Sequence, residues 1–230
     1  MKVIVIIPAA GLGTRMAAAG GGRNAKPAPA KQFAELGGTP VLVHTLRRFV
    51  AAPQVDEIYV ALRSKETDAF QQALARDNFK KPIHVVEGGE HRQESVANAL
   101  RSVKANSDDI VLVHDAVRPF VSQEIIANVI QAAGIHGAAI AGVPAVDTIK
   151  LVDRSAENAL ITSTVPRERA VLAQTPQGFR LGILRQAMEA AQADGFTGTD
   201  EASLVERLGP QVVVVMGSPR NLKITTPADL

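Results

Sequence analysis

The chain has 230 residues, 25 Lys and Arg against 23 Asp and Glu for a net charge of +2, and 46% hydrophobic side chains. That length can bury a large aliphatic α/β core, while so even a charge argues against a nucleic-acid polymer as ligand. With no Cys, disulfides, a thiol nucleophile and thiolate metal sites are excluded, and a reducing, cytoplasmic setting is the natural expectation.

In chain order, the first apolar run covers 3–7, after a single Lys2 and before Pro8 and Gly11. It is too short for a signal peptide and reads as a buried strand. Residues 16–30 are small and rich in Gly and Pro, a long loop. Strand-length runs rich in Val and Ile then recur at 57–62, 83–86, 110–113, 138–143 and 212–215. Between them, 40–51, 66–76, 93–103, 123–133 and 181–193 place apolar residues three and four apart, as helices do. Ser122 is the expected N-cap of the fourth helix, with Glu124 in its first turn. Residues 125–146 lack any Lys, Arg, Asp or Glu and reach membrane-span length. They also hold Asn128, Gln131, His136 and Pro144, so a helix running into a strand is the better reading and no membrane span is expected. Residues 147–165 read as two strand pieces around 154–158, a projecting hairpin that would pack on a symmetry-related subunit. Continuous rather than alternating apolar strands imply an α/β fold, a mostly parallel sheet with helices on both faces.

In such sheets ligands bind beyond the carboxyl ends of the strands, and three of those ends carry polar clusters. Residues 8–16 (PAAGLGTRM) offer small residues through which backbone N–H groups can approach a phosphate, plus the charge of Arg15. The third glycine of the dinucleotide fingerprint and its downstream acid are missing, as is the Gly-Lys-Ser/Thr of a P-loop. An ordinary tight strand–helix turn would also account for this segment. At 111–119, Asp115 ends a strand three residues before Arg118. The pair suits a Mg²⁺ ligand beside an anion-binding Arg, or else a carboxylate that caps a turn. His114 must point to the opposite face and reads as a core histidine. At 87–96, a glycine turn precedes a helix start with Arg92 and Ser95, which a surface turn would explain equally well.

Taken together, PAAGLGTRM, AKQF, GGEHRQES, VHDAVRP, DTIK, QTPQGF, TDEAS and NLKITTP are far more specific than any one of them. From residue 3 to 230 the chain resembles the 2-C-methyl-D-erythritol 4-phosphate cytidylyltransferases of non-mevalonate isoprenoid biosynthesis. The resemblance implies a Rossmann-like nucleotidyltransferase domain over 1–230 with a dimerisation arm at about 144–168. It implies direct attack of the substrate phosphate on the α-phosphate of CTP, with Mg²⁺, giving diphosphocytidyl-methylerythritol and pyrophosphate. By motif, Arg15, Lys31 and Lys223 would be catalytic. Ala9, Ala10, Gly11, Gly13, Gly89, Glu90, Arg92 and Ser95 would hold the nucleotide, and Asp115 the metal. Arg118, Asp147, Thr148, Arg167, Thr175 and Thr199 would bind methylerythritol phosphate, those of the arm in the partner's site of a homodimer. No nucleic-acid or membrane partner is implied.

The chemistry accepts this set. A phosphate monoester is already largely dianionic at neutral pH and needs no enzyme base, while phosphoryl transfer depends on alignment and charge. Three departures stand out. Ala30 replaces the family's Pro before the Lys-Gln pair. The loop before Lys31 is long and holds Arg23 and Lys26, the latter a competitor for Lys31's role. Thr226 and Pro227 announce a helix barely begun, as in a trimmed or naturally short chain. Two rival readings remain at this level. One is a CTP-dependent enzyme for another polyol phosphate, such as ribitol 5-phosphate, and the other a non-catalytic nucleotide-binding homologue. A nicotinamide-dependent oxidoreductase is disfavoured by the missing glycine and acid.

Overall fold

The computed structural model describes residues 1–11, 30–77, 79–155 and 158–230. Its centre is a seven-stranded sheet. In chain order the strands and helices are β1 (Val3–Pro8), β2 (Glu35–Leu36), β3 (Thr39–Pro40), α1 (Val41–Val50), β4 (Glu57–Leu62), α2 (Thr67–Leu74), β5 (Ile83–Glu87), α3 (Arg92–Ser102), β6 (Ile110–Val113), α4 (Gln123–His136), β7 (Ala138–Pro144), β8 (Ile149–Arg154), β9 (Ala159–Val165), β10 (Val171–Arg180), α5 (Leu181–Ala193), α6 (Glu201–Arg207) and β11 (Val213–Met216). The sheet runs β11-β7-β10-β6-β1-β4-β5. Every neighbouring pair is parallel except those made by β10, which is antiparallel to both β6 and β7.

The central strands β1 and β6 are apolar because both faces are covered, whereas the edge strands β5 and β11 are only half buried. Along β1 the side chains alternate between two cores. Val3, Val5 and Ile7 pack with α1, α2 and α4 residues such as Leu46, Phe70 and Val129. Ile4 and Ile6 pack on the other face with Val96 and Ala99 of α3 and Leu184 of α5. The charge-free stretch 125–146 is a helix followed by a strand, as expected. Ser122 caps α4 by accepting a bond from the Ile125 N–H at 3.2 Å. The helix continues to His136 and ends where Gly137 adopts φ of 87°, a left-handed conformation that glycine enters without a Cβ clash. Among the described residues no helix is long and apolar enough to cross a membrane.

Besides the two-residue strands β2 and β3, two longer elements escaped the periodicity. Strand β10 is buried at Gln174, Thr175 and Gln177, so it shows no apolar run. It is tolerated in the core because its polar groups are partnered: Gln174 Nε2 donates to the Ser218 carbonyl at 2.8 Å and Gln177 Nε2 donates to Asp200 at 2.8 Å. Helix α6 is short, and its start is fixed by the Asp200 carboxylate accepting from the Ser203 N–H at 3.0 Å. The hairpin β8–β9 forms its own two-stranded sheet. At the C-terminal end, Pro227–Asp229 form one 3₁₀ turn, and the Asp229 carboxylate accepts the Thr225 and Thr226 N–H groups. Those bonds hold the Asp229 pKa down at about 2.

Candidate active site

Because the sheet is parallel apart from β10, its registers bring the ends of β1, β4, β5, β6, β7 and β11 to one edge. Pro8 lies beside Ala61, Leu62 beside Glu87, and Met216 beside Gly142. The chain leaving these ends is pinned by continuing ladder bonds, Gly88 N–H to Leu62 O at 2.8 Å and His114 N–H to Ile6 O at 2.9 Å. The described residues of the three polar clusters picked out in the sequence, 8–11, 87–96 and 111–119, therefore sit on this edge, and so does 217–223 after β11.

There a cleft of ≈ 160 Å³ is lined by Ala9, Ala10, Gly11, Lys31, Arg92, Ser95, Asp115 and Lys223. Ala10 is also a wall of a wider recess of ≈ 820 Å³ that includes Gly89 and Glu90. The walls come close because side chains are small. A Cβ on Gly88 would stand 2.4 Å from that of Ala10, so only glycine fits. Gln32 secures the segment after β1, its Nε2 donating to the Ala9 carbonyl at 2.6 Å. Ser95 stitches the glycine turn to α3, its hydroxyl accepting from the Gly89 N–H at 3.1 Å and donating to the His91 carbonyl at 3.0 Å.

Asp115 is the electrostatic centre. It is buried, with Lys223 Nζ at 2.8 Å, Arg92 Nε at 3.2 Å and Arg118 Nε at 3.4 Å. Burial alone would push its carboxyl up, but the surrounding charges of Arg92, Lys223 and Arg118 outweigh it and hold the pKa well below the usual carboxylate range. Arg92 also meets Glu201, whose two carboxylate oxygens lie 2.7 and 2.8 Å from Nη1. Burial opposes charge on this guanidinium, and the two carboxylates override that and keep it protonated. Arg118 is braced from behind, Nη1 donating to the Asn221 carbonyl at 2.7 Å. Beneath the cluster His114 is fully buried, edge-on to Phe49, and burial pushes its pKa down to about 4. It is a core histidine, as its strand position required.

The expected residues divide as follows. Ala9, Ala10, Gly11, Lys31, Arg92, Ser95, Asp115 and Lys223 converge on the cleft. Gly89 and Glu90 line the adjoining recess, and Arg118 reaches the cleft through Asp115. Gly13 and Arg15, and with them the rival Lys26, lie outside the described residues. Asp147, Thr148, Arg167 and Thr199 are exposed and do not line the cleft of this chain. Arg167 donates to the Val146 carbonyl at 3.3 Å across the base of the hairpin. Thr175 was expected to touch substrate, but its hydroxyl faces inward. It accepts from the Asp115 N–H at 3.0 Å and bonds His114 Nδ1 at 3.1 Å.

Sequence reasoning passed over Glu201, Gln32 and Asn221. All three lie inside motifs already quoted, AKQF, TDEAS and NLKITTP, but nothing in their immediate neighbours marks them as buried. Asn221 is fully buried, its Nδ2 donating to the Thr175 carbonyl at 2.9 Å and thereby tying the Lys223 segment to β10.

A cleft with several converging cations, one carboxylate and small-residue walls can bind a polyphosphate and stabilise charge on it. Comparison with known proteins agrees. The family profile IspD, 2-C-methyl-D-erythritol 4-phosphate cytidylyltransferase, matches residues 3–230. The enzyme of that name from Acidobacterium capsulatum is 56% identical over 230 residues, 100% of this chain and 95% of that protein. Its counterpart from Solibacter usitatus is 49% identical, covering 100% and 93%. Among solved structures, the Francisella tularensis 2-C-methyl-D-erythritol 4-phosphate cytidylyltransferase superposes with a TM-score of 0.81 at 35% identity, covering 100% of this chain and 96% of that one. The 4-diphosphocytidyl-2C-methyl-D-erythritol synthase from Anaerococcus prevotii gives 0.82 at 28% identity, covering 99% and 92%.

Proposed function

We propose a reaction path from one premise: this chain belongs to the 2-C-methyl-D-erythritol 4-phosphate cytidylyltransferase family. It transfers CMP from CTP to 2-C-methyl-D-erythritol 4-phosphate, releasing pyrophosphate. The observation that carries the path is the convergence of Lys31, Arg92 and Lys223 with Asp115 on one cleft at the carboxyl edge of the sheet.

An oxygen of the substrate phosphate attacks the α-phosphorus of CTP. A new P–O bond forms there as the bond to the bridging oxygen breaks, and pyrophosphate carries that electron pair away. The attacking phosphate is already ionised, so no side chain has to remove a proton. The work of the chain is to bind, align and neutralise. Lys31 and Lys223, with Arg15, hold the triphosphate and the charge that builds on the α-phosphate. Arg92 adds a cation fixed by two carboxylates. Ala9, Ala10, Gly89, Glu90 and Ser95 surround cytosine; glycine at 88 lets the turn after β5 pack directly on Ala10.

The donor set fits a divalent cation shared with substrate. Among the described residues no group of three or more His, Asp or Glu could hold one unaided, whereas Mg²⁺ commonly takes one or two carboxylates together with substrate phosphates. Asp115 would be its ligand, and the bound ion would offset negative charge on the triphosphate.

The acceptor is assigned to Arg118 and to Asp147, Thr148 and Arg167 of the arm, with Thr199 nearby and Thr175 acting from behind. The arm exposes Val146, Leu151, Leu160 and Ile161, an apolar surface suited to a second copy of the chain, which supports a homodimer whose arms reach the neighbour's acceptor site. The domain is then one nucleotidyltransferase unit over 1–230 with its arm at about 144–168, at work in the cytoplasm where nucleoside triphosphates are kept. Purified protein is assayed for pyrophosphate release from CTP and Mg²⁺ with methylerythritol phosphate or ribitol 5-phosphate. Preference for the ribitol ester would refute the acceptor, and CTP binding without release would refute catalysis.

A further inference from the structure

Glu201 is 1% exposed and sits at the first position of α6, yet the cleft reaches it through a single side chain. Both of its oxygens are within 2.8 Å of Arg92 Nη1, and Arg92 Nε lies 3.2 Å from Asp115 Oδ1. Arg92 thus stands between a carboxylate that faces the cleft and one sealed behind it. The sealed one is held firmly. Gln177 donates from Nε2 to Asp200 at 2.8 Å and accepts from the Ala202 N–H at 3.1 Å, bracketing Glu201. A buried ion pair adds little net stability, because desolvation opposes the attraction between its charges. Its consequence here is electrostatic. Arg92, Arg118 and Lys223 put three positive charges around Asp115. Burial pushes the Glu201 carboxyl up, while the Arg92 charge against both its oxygens favours the ionised form; ionised, it and Asp115 reduce the surplus to one, and without it the surplus would be two.

We propose that Glu201 is a positioning residue that offsets Arg92 from behind, so that Asp115 stays open to a divalent cation and CTP without metal binds less well. The proposal rests on the reading that Asp115 serves a cation shared with CTP. Removing the charge of Glu201 leaves Arg92 to pair with Asp115 alone, which disfavours the cation. It also makes the cleft more attractive to the bare triphosphate.

The test compares wild type, Glu201→Gln, Glu201→Asp and the double variant Arg92→Gln/Glu201→Gln. Calorimetry measures CTP binding in EDTA, and turnover is titrated with Mg²⁺. Glu201→Gln is expected to bind CTP in EDTA about fivefold more tightly and to need about fivefold more Mg²⁺ for half-maximal turnover, the effect of one unit charge at this range. Glu201→Asp retains the charge and should keep both values within about twofold of wild type. The double variant frees Asp115 of Arg92, and its Mg²⁺ requirement should sit at or below that of wild type. Unchanged values in Glu201→Gln, or equal shifts in Glu201→Asp, would overturn the proposal. If Glu201→Gln fails to fold, the double variant, a neutral pair, decides alone: a raised Mg²⁺ requirement overturns the proposal and a level or lowered one supports it. Wild-type turnover that ignores Mg²⁺ would instead overturn the metal reading beneath it, and this proposal with it.

Discussion

Replacing Thr175 by Val separates a substrate contact from a support beneath the site. The Arg118 carbonyl can only accept, so His114 Nε2, 3.1 Å away, carries the ring proton and Nδ1 is an acceptor. The Thr175 hydroxyl must then donate to Nδ1 while it accepts from the Asp115 N–H, both within buried surroundings. Val has nearly the same shape, so no cavity opens, but one amide and one ring nitrogen lose their partners. At about 1–3 kcal/mol for each unsatisfied group, the loss should be about 3 kcal/mol, or about 6–12 °C in Tm for a chain of this size. Thr175→Ser keeps the hydroxyl and should cost only about 1 kcal/mol for one methyl group. Urea unfolding is followed by far-UV circular dichroism, since the chain has no Trp, and kinetics are measured in both substrates. In Thr175→Val, kcat should fall as Asp115 shifts. Stability within about 0.5 kcal/mol of wild type, with only the KM for the polyol phosphate raised, would refute the argument and place the hydroxyl on the substrate.

Lys31→Ala should lower kcat by about 10²–10³-fold, because it removes a cation from the phosphate cleft, while Lys26→Ala should matter much less; the opposite ranking in steady-state assays would move the catalytic lysine. Leu160→Asp with Ile161→Asp changes exposed side chains on both faces of β9, so the protomer should keep its Tm while light scattering shows monomers and activity falls. A fully active monomer would contradict the shared-site reading. His114 provides a pH test. Its folded pKa of about 4 lies below the unfolded value, so the unfolded chain binds the extra proton and stability falls as pH drops through that window. The loss between pH ~6.5 and ~4 should approach about 3 kcal/mol, measured as the difference between wild type and His114→Gln. Parallel curves for the two would show that His114 does not titrate in this way.

Periodicity and composition carried the fold a long way, since parallel strands covered on both faces must be apolar throughout and their helices must be amphipathic. The runs at 3–7, 57–62, 110–113 and 138–143 are strands for that reason, and the spacing at 123–133 and 181–193 announces helices. Strand β10 was illegible by the same logic. Its interior is Gln, Thr, Pro and Gln, and those residues are buried only because Asn221, Ser218, Asp200 and Ala202 meet them from elsewhere in the chain. For the candidate site, the sequence by itself pointed to the chemical kit: small residues after β1, Lys31, Asp115 at the tip of β6, and Lys223. Hydrogen-bond and ion-pair partners separated by many tens of residues are not encoded locally, so only the tertiary structure decided three further matters. Arg92 stands between Asp115 and Glu201, 109 positions downstream, Thr175 turns inward to His114, and Arg118 is braced by Asn221. Residue type follows from local sequence, whereas which charge faces which follows from the sheet register that brings distant strand ends to one edge.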